Sequence, residues 1–190
     1  MNTALQWRGT DDTRYIAYLM AESAGKLRAL HGAAREIPQY HSSHAAPMLL
    51  AFAMERALKA WHLRTTGEAA KRTHRLLALY EALPEEVREC LDEAAGTALR
   101  PYPSKTSSGR SRLAEVLAAH DTAFHDWRYP EEVLADPERP NGLFFETGEH
   151  EAALDAVLEA FDWPAKNGVR AVHMGTLGNA GARTTMRTRD

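Results

Sequence analysis

This sequence of 190 residues has a single cysteine, no long apolar run and no strong excess of one charge. It contains no run of about 18 apolar residues, which a transmembrane helix requires, so we expect no membrane partner. The single cysteine, Cys90, excludes an internal disulfide framework and favours a reducing compartment. The first residues lack the basic-then-apolar pattern of a signal peptide. We therefore expect a cytoplasmic protein.

The net charge is only −3, but it is unevenly distributed along the chain. Residues 164–190 carry five basic residues against one acidic residue, a net charge of +4, so the remaining residues sum to −7. An acidic body lacks the broad basic surface that is typical of nucleic-acid-binding proteins. A nucleic acid would therefore have to contact a local basic patch or the tail.

Residues 47–67 are the most distinctive segment, because apolar side chains point in nearly every direction around a helix of this sequence. A helix that is apolar all round belongs in the centre of a bundle. Glu55 and Lys59 lie four residues apart within it, in the order that favours an ion pair. Charges on a buried helix are costly unless they are paired. We predict a central helix with a polar seam.

Further helical patterns surround this segment, and no segment has the alternation of a convincing strand. For the first helix, residues 11–31, we predict a buried stripe of large residues: Tyr15, Ile16, Leu19, Met20, Leu27 and Leu30. A later stripe predicts one continuous helix over residues 113–127: Leu113, Leu117, His120, Phe124 and Trp127. The fold class is all-α, an antiparallel bundle of about five or six helices. We expect a helical domain over 1–163 and a disordered, basic Gly/Thr/Arg-rich tail over 164–190.

Three short patterns, in order along the chain, resemble the HEPN superfamily. They are Glu55-x3-Lys59, the helix start Thr73-His74-x-Leu76, and the cluster Trp127-Arg128-Tyr129-Pro130-x-Glu132. The resemblance covers about half of the chain, residues 45–135, and departs from many relatives at Arg75, where they carry an acid. HEPN proteins are small antiparallel helical bundles that are often homodimeric. The resemblance therefore implies a HEPN-like bundle and a homodimer.

The superfamily contains metal-independent ribonucleases and non-catalytic binding or scaffolding domains, many of them in toxin–antitoxin or anti-phage defence systems. The resemblance implies a protein associated with RNA or nucleotides, with an antitoxin or defence protein as partner. Its ribonucleases share an arginine followed, after four to six residues, by a histidine on a late helix. Two pairs have this spacing, Arg35 with His41 and Arg56 with His62. Chance alone would give about as many such pairs in this sequence, and neither pair lies on a late helix. The sequence leaves open whether the chain is a ribonuclease or a non-catalytic interaction module.

The candidate catalytic set is Arg128, His120 and His125. A histidine can take the proton from a 2′-hydroxyl of RNA, and an arginine can stabilise charge on the phosphate. On a continuous helix His120 and Arg128 share a face, whereas His125 is turned about 140° from His120. The alternative is that His120 packs in the core and that Arg128 is a structural anchor.

A second candidate group is a polar network between the central and late helices. Its predicted members are Glu55, Lys59, His74, Arg128 and Glu132. Buried ionised groups must satisfy one another, so these charges would meet. The network either lines a nucleotide pocket or fixes the register of the bundle, and the second use is favoured.

No cofactor and no metal are expected. His41 and His44 are close enough in sequence to share a metal ion, but no third ligand follows at zinc spacing.

Overall fold

A computed structural model of the protein describes residues 7–37, 45–103, 109–138 and 145–161, and this part of the chain contains helices and no strand. The helices are α1 (Asp11–Ala34), α2 (Ala45–Thr66), α3 (Leu76–Glu81), α4 (Glu85–Ala98), α5 (Arg112–Ala119), α6 (Ala123–Asp126), α7 (Pro130–Ala135) and α8 (Thr147–Ala160). The all-α prediction is confirmed over these ranges. The predicted tail, 164–190, lies outside the described residues.

Helix α2 lies at the centre of the fold, as its composition predicts. Helices α1, α3, α6 and α8 all contact it. Leu50, Met54, Leu58 and Trp61 on this helix are fully buried. Each such side chain contributes about 1.5–3 kcal/mol when it leaves water. None of the helices in the described ranges combines the length and the apolar character needed to cross a membrane.

Helix α1 packs on α2 mainly through small residues, and the predicted stripe of large residues is only partly correct, since Met20 and Leu27 do pack against the core. Ala17, Ala21 and Ala24 are fully buried and lie on one face, at spacings of four and three residues. Their short side chains let the two helices approach closely, because no larger group separates the backbones. Three of the large residues that we assigned to the core are instead exposed: Ile16 by 49%, Leu19 by 38% and Leu30 by 54%.

The continuous helix predicted over residues 113–127 is interrupted after Ala119. His120 has φ −120° and ψ 20°, outside the helical region, and α6 starts only at Ala123. Within this break the carboxylate of Asp121 accepts a hydrogen bond from the Leu77 backbone N–H at 2.8 Å and one from Arg75 at 2.6 Å. Helix α3 has no side-chain cap of its own, so Asp121 satisfies its N-terminus from another part of the chain.

The segment before α1 and the end of α8 meet at a buried cation, Arg64. Its guanidinium lies 4.9 Å from the ring centroid of Trp7, 4.9 Å from that of Trp61 and 5.0 Å from that of Phe161. It also donates a hydrogen bond to the Phe161 carbonyl. The rings of Trp7 and Phe161 pack edge to face at 5.6 Å. Desolvated cation–π contacts contribute about 2 kcal/mol, so this corner is firmly held.

Candidate functional site

Glu55 is a buried carboxylate with two partners. Its side chain is 3% exposed; Oε1 accepts a hydrogen bond from Lys59 Nζ at 2.6 Å, and Oε2 lies 2.8 Å from His74 Nδ1. An ionised carboxylate can only accept hydrogen bonds, so Nδ1 of His74 carries the proton. In the neutral ring the lone pair is then on Nε2, the nitrogen that faces away from Glu55.

The His74 side chain is held at the surface in a defined orientation. It lies in the connection between α2 and α3 and is 60% exposed. One face of the ring stacks on Phe124 of α6, at a centroid distance of 4.8 Å and an interplanar angle of 24°. Phe124 in turn contacts Phe52 on α2 at 5.5 Å. The imidazole is therefore fixed at one edge by a carboxylate and on one face by an aromatic ring.

Basic residues flank His74 in sequence and are exposed. Lys71, Arg72 and Arg75, together with His74, are called the His74 patch below. Arg75 pairs with Asp121, whereas Lys71 and Arg72 have no ion-pair partner in the described ranges. The patch is a local concentration of positive charge on a chain whose net charge is negative.

The structure does not bring Arg128 or Glu132 to Glu55. The Arg128 guanidinium is exposed and lies 5.3 Å from the ring centroid of Tyr129. Glu132 is 62% exposed, and its carboxylate lies 3.9 Å from His125 Nε2. The predicted register assumed one straight helix, but the chain leaves the helix at His120, forms the short helix α6 and begins α7 at Pro130. Of the five predicted members, three meet: Glu55, Lys59 and His74.

The candidate catalytic set is likewise divided between core and surface. His120 is 2% exposed, with its ring 4.4 Å from Phe145 and 5.3 Å from His150. His125 is 57% exposed and its ring contacts Tyr129 at 5.2 Å. His125 and Arg128 share the surface at the end of α6, whereas His120 is buried, as the core interpretation of this residue requires.

His150 on α8 is a fully buried histidine that the sequence patterns did not single out. Burial, and secondarily the charge of His120, lower the pKa of His150 to about 3, while the Leu50 backbone opposes this shift. Neither of its ring nitrogens has a hydrogen bond of normal geometry to the described residues. His150 is therefore neutral at physiological pH and acts as a packing residue beside Phe145.

A polar cluster between α1 and α8 was also missed. Arg28 makes two contacts of 2.8 Å with the Asp155 carboxylate, and His31 Nε2 lies 2.5 Å from Glu151 Oε1. Arg35 also reaches Glu151, at 3.3 Å. The signal was in the spacing, since Arg28 and His31 on one face of α1, with Arg35 at its C-cap, match two acids four residues apart on α8. This cluster ties α8 to α1.

Within the described part of the chain, no three or more His, Cys, Asp or Glu side chains are grouped as a metal site would require. His41 and His44 lie outside the described residues.

No protein-family model, curated protein or solved structure matches the chain. The function is therefore inferred from the geometry of the site.

Proposed function

We propose that the chain is an RNA- or nucleotide-associated protein that contacts its ligand at the His74 patch. The observation that supports this is the exposed His74 ring, held by the buried Glu55 and preceded by Lys71 and Arg72, two exposed cations without ion-pair partners in the described ranges. The resemblance to HEPN proteins points to the same ligand class. It also suggests a toxin–antitoxin or anti-phage defence setting with a cognate protein partner.

The chemistry of the patch suits a phosphate. Arginine presents a planar fork of donors that matches phosphate oxygens, and lysine adds a mobile point charge. Lys71 and Arg72 have no carboxylate partner in the described ranges and can contact a phosphate without breaking an ion pair there, whereas Arg75 is already paired with Asp121. Binding releases counterions from the nucleic acid, which makes the affinity depend on salt.

Cleavage of RNA by Arg128 and His125 stays a prediction. The two residues share a surface, and Tyr129 contacts both of them. His120 is buried, so we assign it no role in proton transfer.

The binding proposal is tested by fluorescence anisotropy with a short labelled single-stranded RNA. In the double variant Lys71→Ala, Arg72→Ala we expect the Kd to rise about tenfold. The slope of the salt dependence should fall by about 0.7 for each phosphate that the variant no longer neutralises. Arg100→Ala removes an exposed cation outside the patch and is the matched control. An equal loss of affinity in the control, or no binding by the wild type, would contradict the proposal.

A second candidate function is that of a non-catalytic interaction module that forms a homodimer. Ile16, Leu19 and Leu30 are exposed on α1. At 100° per residue they lie within about 60° of one another, so they form a single apolar stripe on the outer face of the helix. An exposed apolar stripe on a long helix favours packing against a second copy of the same helix.

A further inference from the structure

We propose that Nε2 of His74 accepts a phosphoryl group, which makes the connection between α2 and α3 a phosphohistidine site. This inference concerns covalent chemistry at one nitrogen atom. It does not depend on whether the surrounding patch binds RNA.

The first argument is the state of the imidazole. The carboxylate of Glu55 holds the proton on Nδ1 at 2.8 Å. The lone pair is therefore on Nε2, which faces away from the buried carboxylate, and the side chain is 60% exposed. A histidine fixed in this tautomer presents its nucleophilic nitrogen to an incoming donor without reorganisation.

The second argument is the charge that forms during attack. When Nε2 bonds to phosphorus, the ring becomes cationic, with its remaining proton on Nδ1. Glu55 lies against that nitrogen and is only 3% exposed, so its charge is weakly screened. Lys59 Nζ donates a hydrogen bond to Oε1 at 2.6 Å and so orients the carboxylate before the reaction. The buried Glu55 therefore stabilises the product ring.

The third argument is the surroundings of the new group. A phosphoryl group carries up to two negative charges. Lys71 and Arg72 are exposed, lie three and two residues before His74, and have no ion pair in the described ranges. They are available to offset the charge of the phosphoryl group.

His125 is a second exposed histidine, and it differs from His74 in lacking a buried carboxylate partner among the described residues. The two side chains are almost equally exposed, 57% and 60%. The nearest carboxylates of His125, on Asp126 and Glu132, lie 3.8 and 3.9 Å from its ring nitrogens, beyond hydrogen-bond distance. No buried carboxylate of the described residues therefore fixes its tautomer. His125 is the internal control for the proposal.

The transfer needs a donor of the phosphoramidate or acyl phosphate class. With phosphoramidate, whose nitrogen already carries three protons as –NH3+ at neutral pH, the Nε2 lone pair forms the N–P bond while the P–N bond of the donor breaks, and ammonia leaves with that electron pair. Nδ1 keeps its proton and its contact with Glu55. No proton has to be removed from His74, and no oxidant or reductant takes part.

The test treats the full-length chain with potassium phosphoramidate. Initial rates of modification at His74 and His125 are measured in the same sample by peptide mass spectrometry, and phosphorus NMR identifies the modified nitrogen. We expect His74 to react about tenfold faster than His125, which is the effect of one charge-assisted hydrogen bond, and to react at Nε2. In Glu55→Gln the rate at His74 should fall to that of His125. Circular dichroism checks that the variant is folded.

Equal rates at the two histidines of the wild type would overturn the proposal, and this comparison needs no variant. Modification at Nδ1, or an unchanged rate in folded Glu55→Gln, would overturn it as well. The RNA-binding proposal fails separately: a chain that is phosphorylated at His74 but does not bind RNA contradicts only the proposed function. Binding of RNA without faster reaction at His74 contradicts only the present inference.

Discussion

His74 and Glu55 are 19 residues apart in sequence, yet Nδ1 of one lies 2.8 Å from Oε2 of the other. The histidine is 60% exposed and the glutamate 3%. The pair therefore connects the surface of the molecule to the middle of its central helix. It also anchors the start of the α3 region to α2.

Removing the carboxylate should destabilise the fold moderately. In Glu55→Ala the donors on Lys59 and His74 have no acceptor, but both side chains can turn to water, so we expect a loss of about 1–2 kcal/mol. Urea denaturation measures it. Lys26→Ala breaks an ion pair whose lysine is 73% exposed, and its effect should stay within about 0.5 kcal/mol. Equal losses in the two variants would show that burial of Glu55 is unimportant.

Asp121 is predicted to control the order of α3. In Asp121→Ala the Leu77 N–H and the Arg75 guanidinium lose their acceptor, and the loss of a helix cap costs about 1–2 kcal/mol. Hydrogen exchange at the Leu77 amide should accelerate. Asp121→Asn keeps an oxygen acceptor and should exchange more slowly than the alanine variant. Unchanged exchange at Leu77 in the alanine variant would contradict this role of Asp121.

His150 should make the fold sensitive to acid. Its pKa in the folded state is lowered to about 3 from the usual 6.5, so the unfolded chain binds the extra proton between these values. Stability contributed by His150 is therefore fully present above pH 6.5 and is lost as the pH falls toward 3. The loss amounts to about 2 kcal/mol at pH 5.

Replacing His150 by leucine removes this proton uptake. Urea denaturation at a series of pH values should show a smaller fall in stability from pH 7 to pH 5 for His150→Leu than for the wild type. His125→Gln, a change at an exposed histidine, should leave the wild-type slope intact. If the slopes of wild type and His150→Leu coincide, the buried imidazole does not set the acid response.

Self-association through α1 is tested by placing charge on its outer stripe. The double variant Leu19→Glu, Leu30→Glu should sediment as a monomer at concentrations where the wild type is a dimer, because two carboxylates per chain would face their symmetry mates. Leu134→Glu changes a residue that is 69% exposed on α7 and should not alter the sedimentation. A monomeric wild type, or dissociation by the control, would count against the α1 interface.

Sequence patterns predicted α2 and its ion pair because both depend on local order. A segment that is apolar all round has to be buried, and residues four apart on a helix meet whatever surrounds them. Glu55 and Lys59 follow this rule. The contact between Glu55 and His74 was expected because buried charges must be paired, but that argument does not specify which residues of different segments meet, and it also included Arg128 and Glu132.

The predictions that were wrong concern features that tertiary contacts determine. On α1 we ranked faces by the size of their apolar residues, whereas close packing against α2 selects the alanines Ala17, Ala21 and Ala24. The helix break at His120 contains neither glycine nor proline, the residues by which a break can be recognised in a sequence. Its partner is the start of α3, which Asp121 caps, and such a contact has no signature in the local sequence.

The edge-to-face contact between Trp7 and Phe161 determines where a reporter domain attached near either residue would lie. Residues 7 and 161 occupy the same corner of the bundle, so a reporter domain joined beside either of them would be carried close to Arg64. Glu55 is nine residues before Arg64 on α2, a separation of about 13 Å along the helix axis. The carboxylate that orients His74 therefore lies more than two helical turns of α2 away from this corner.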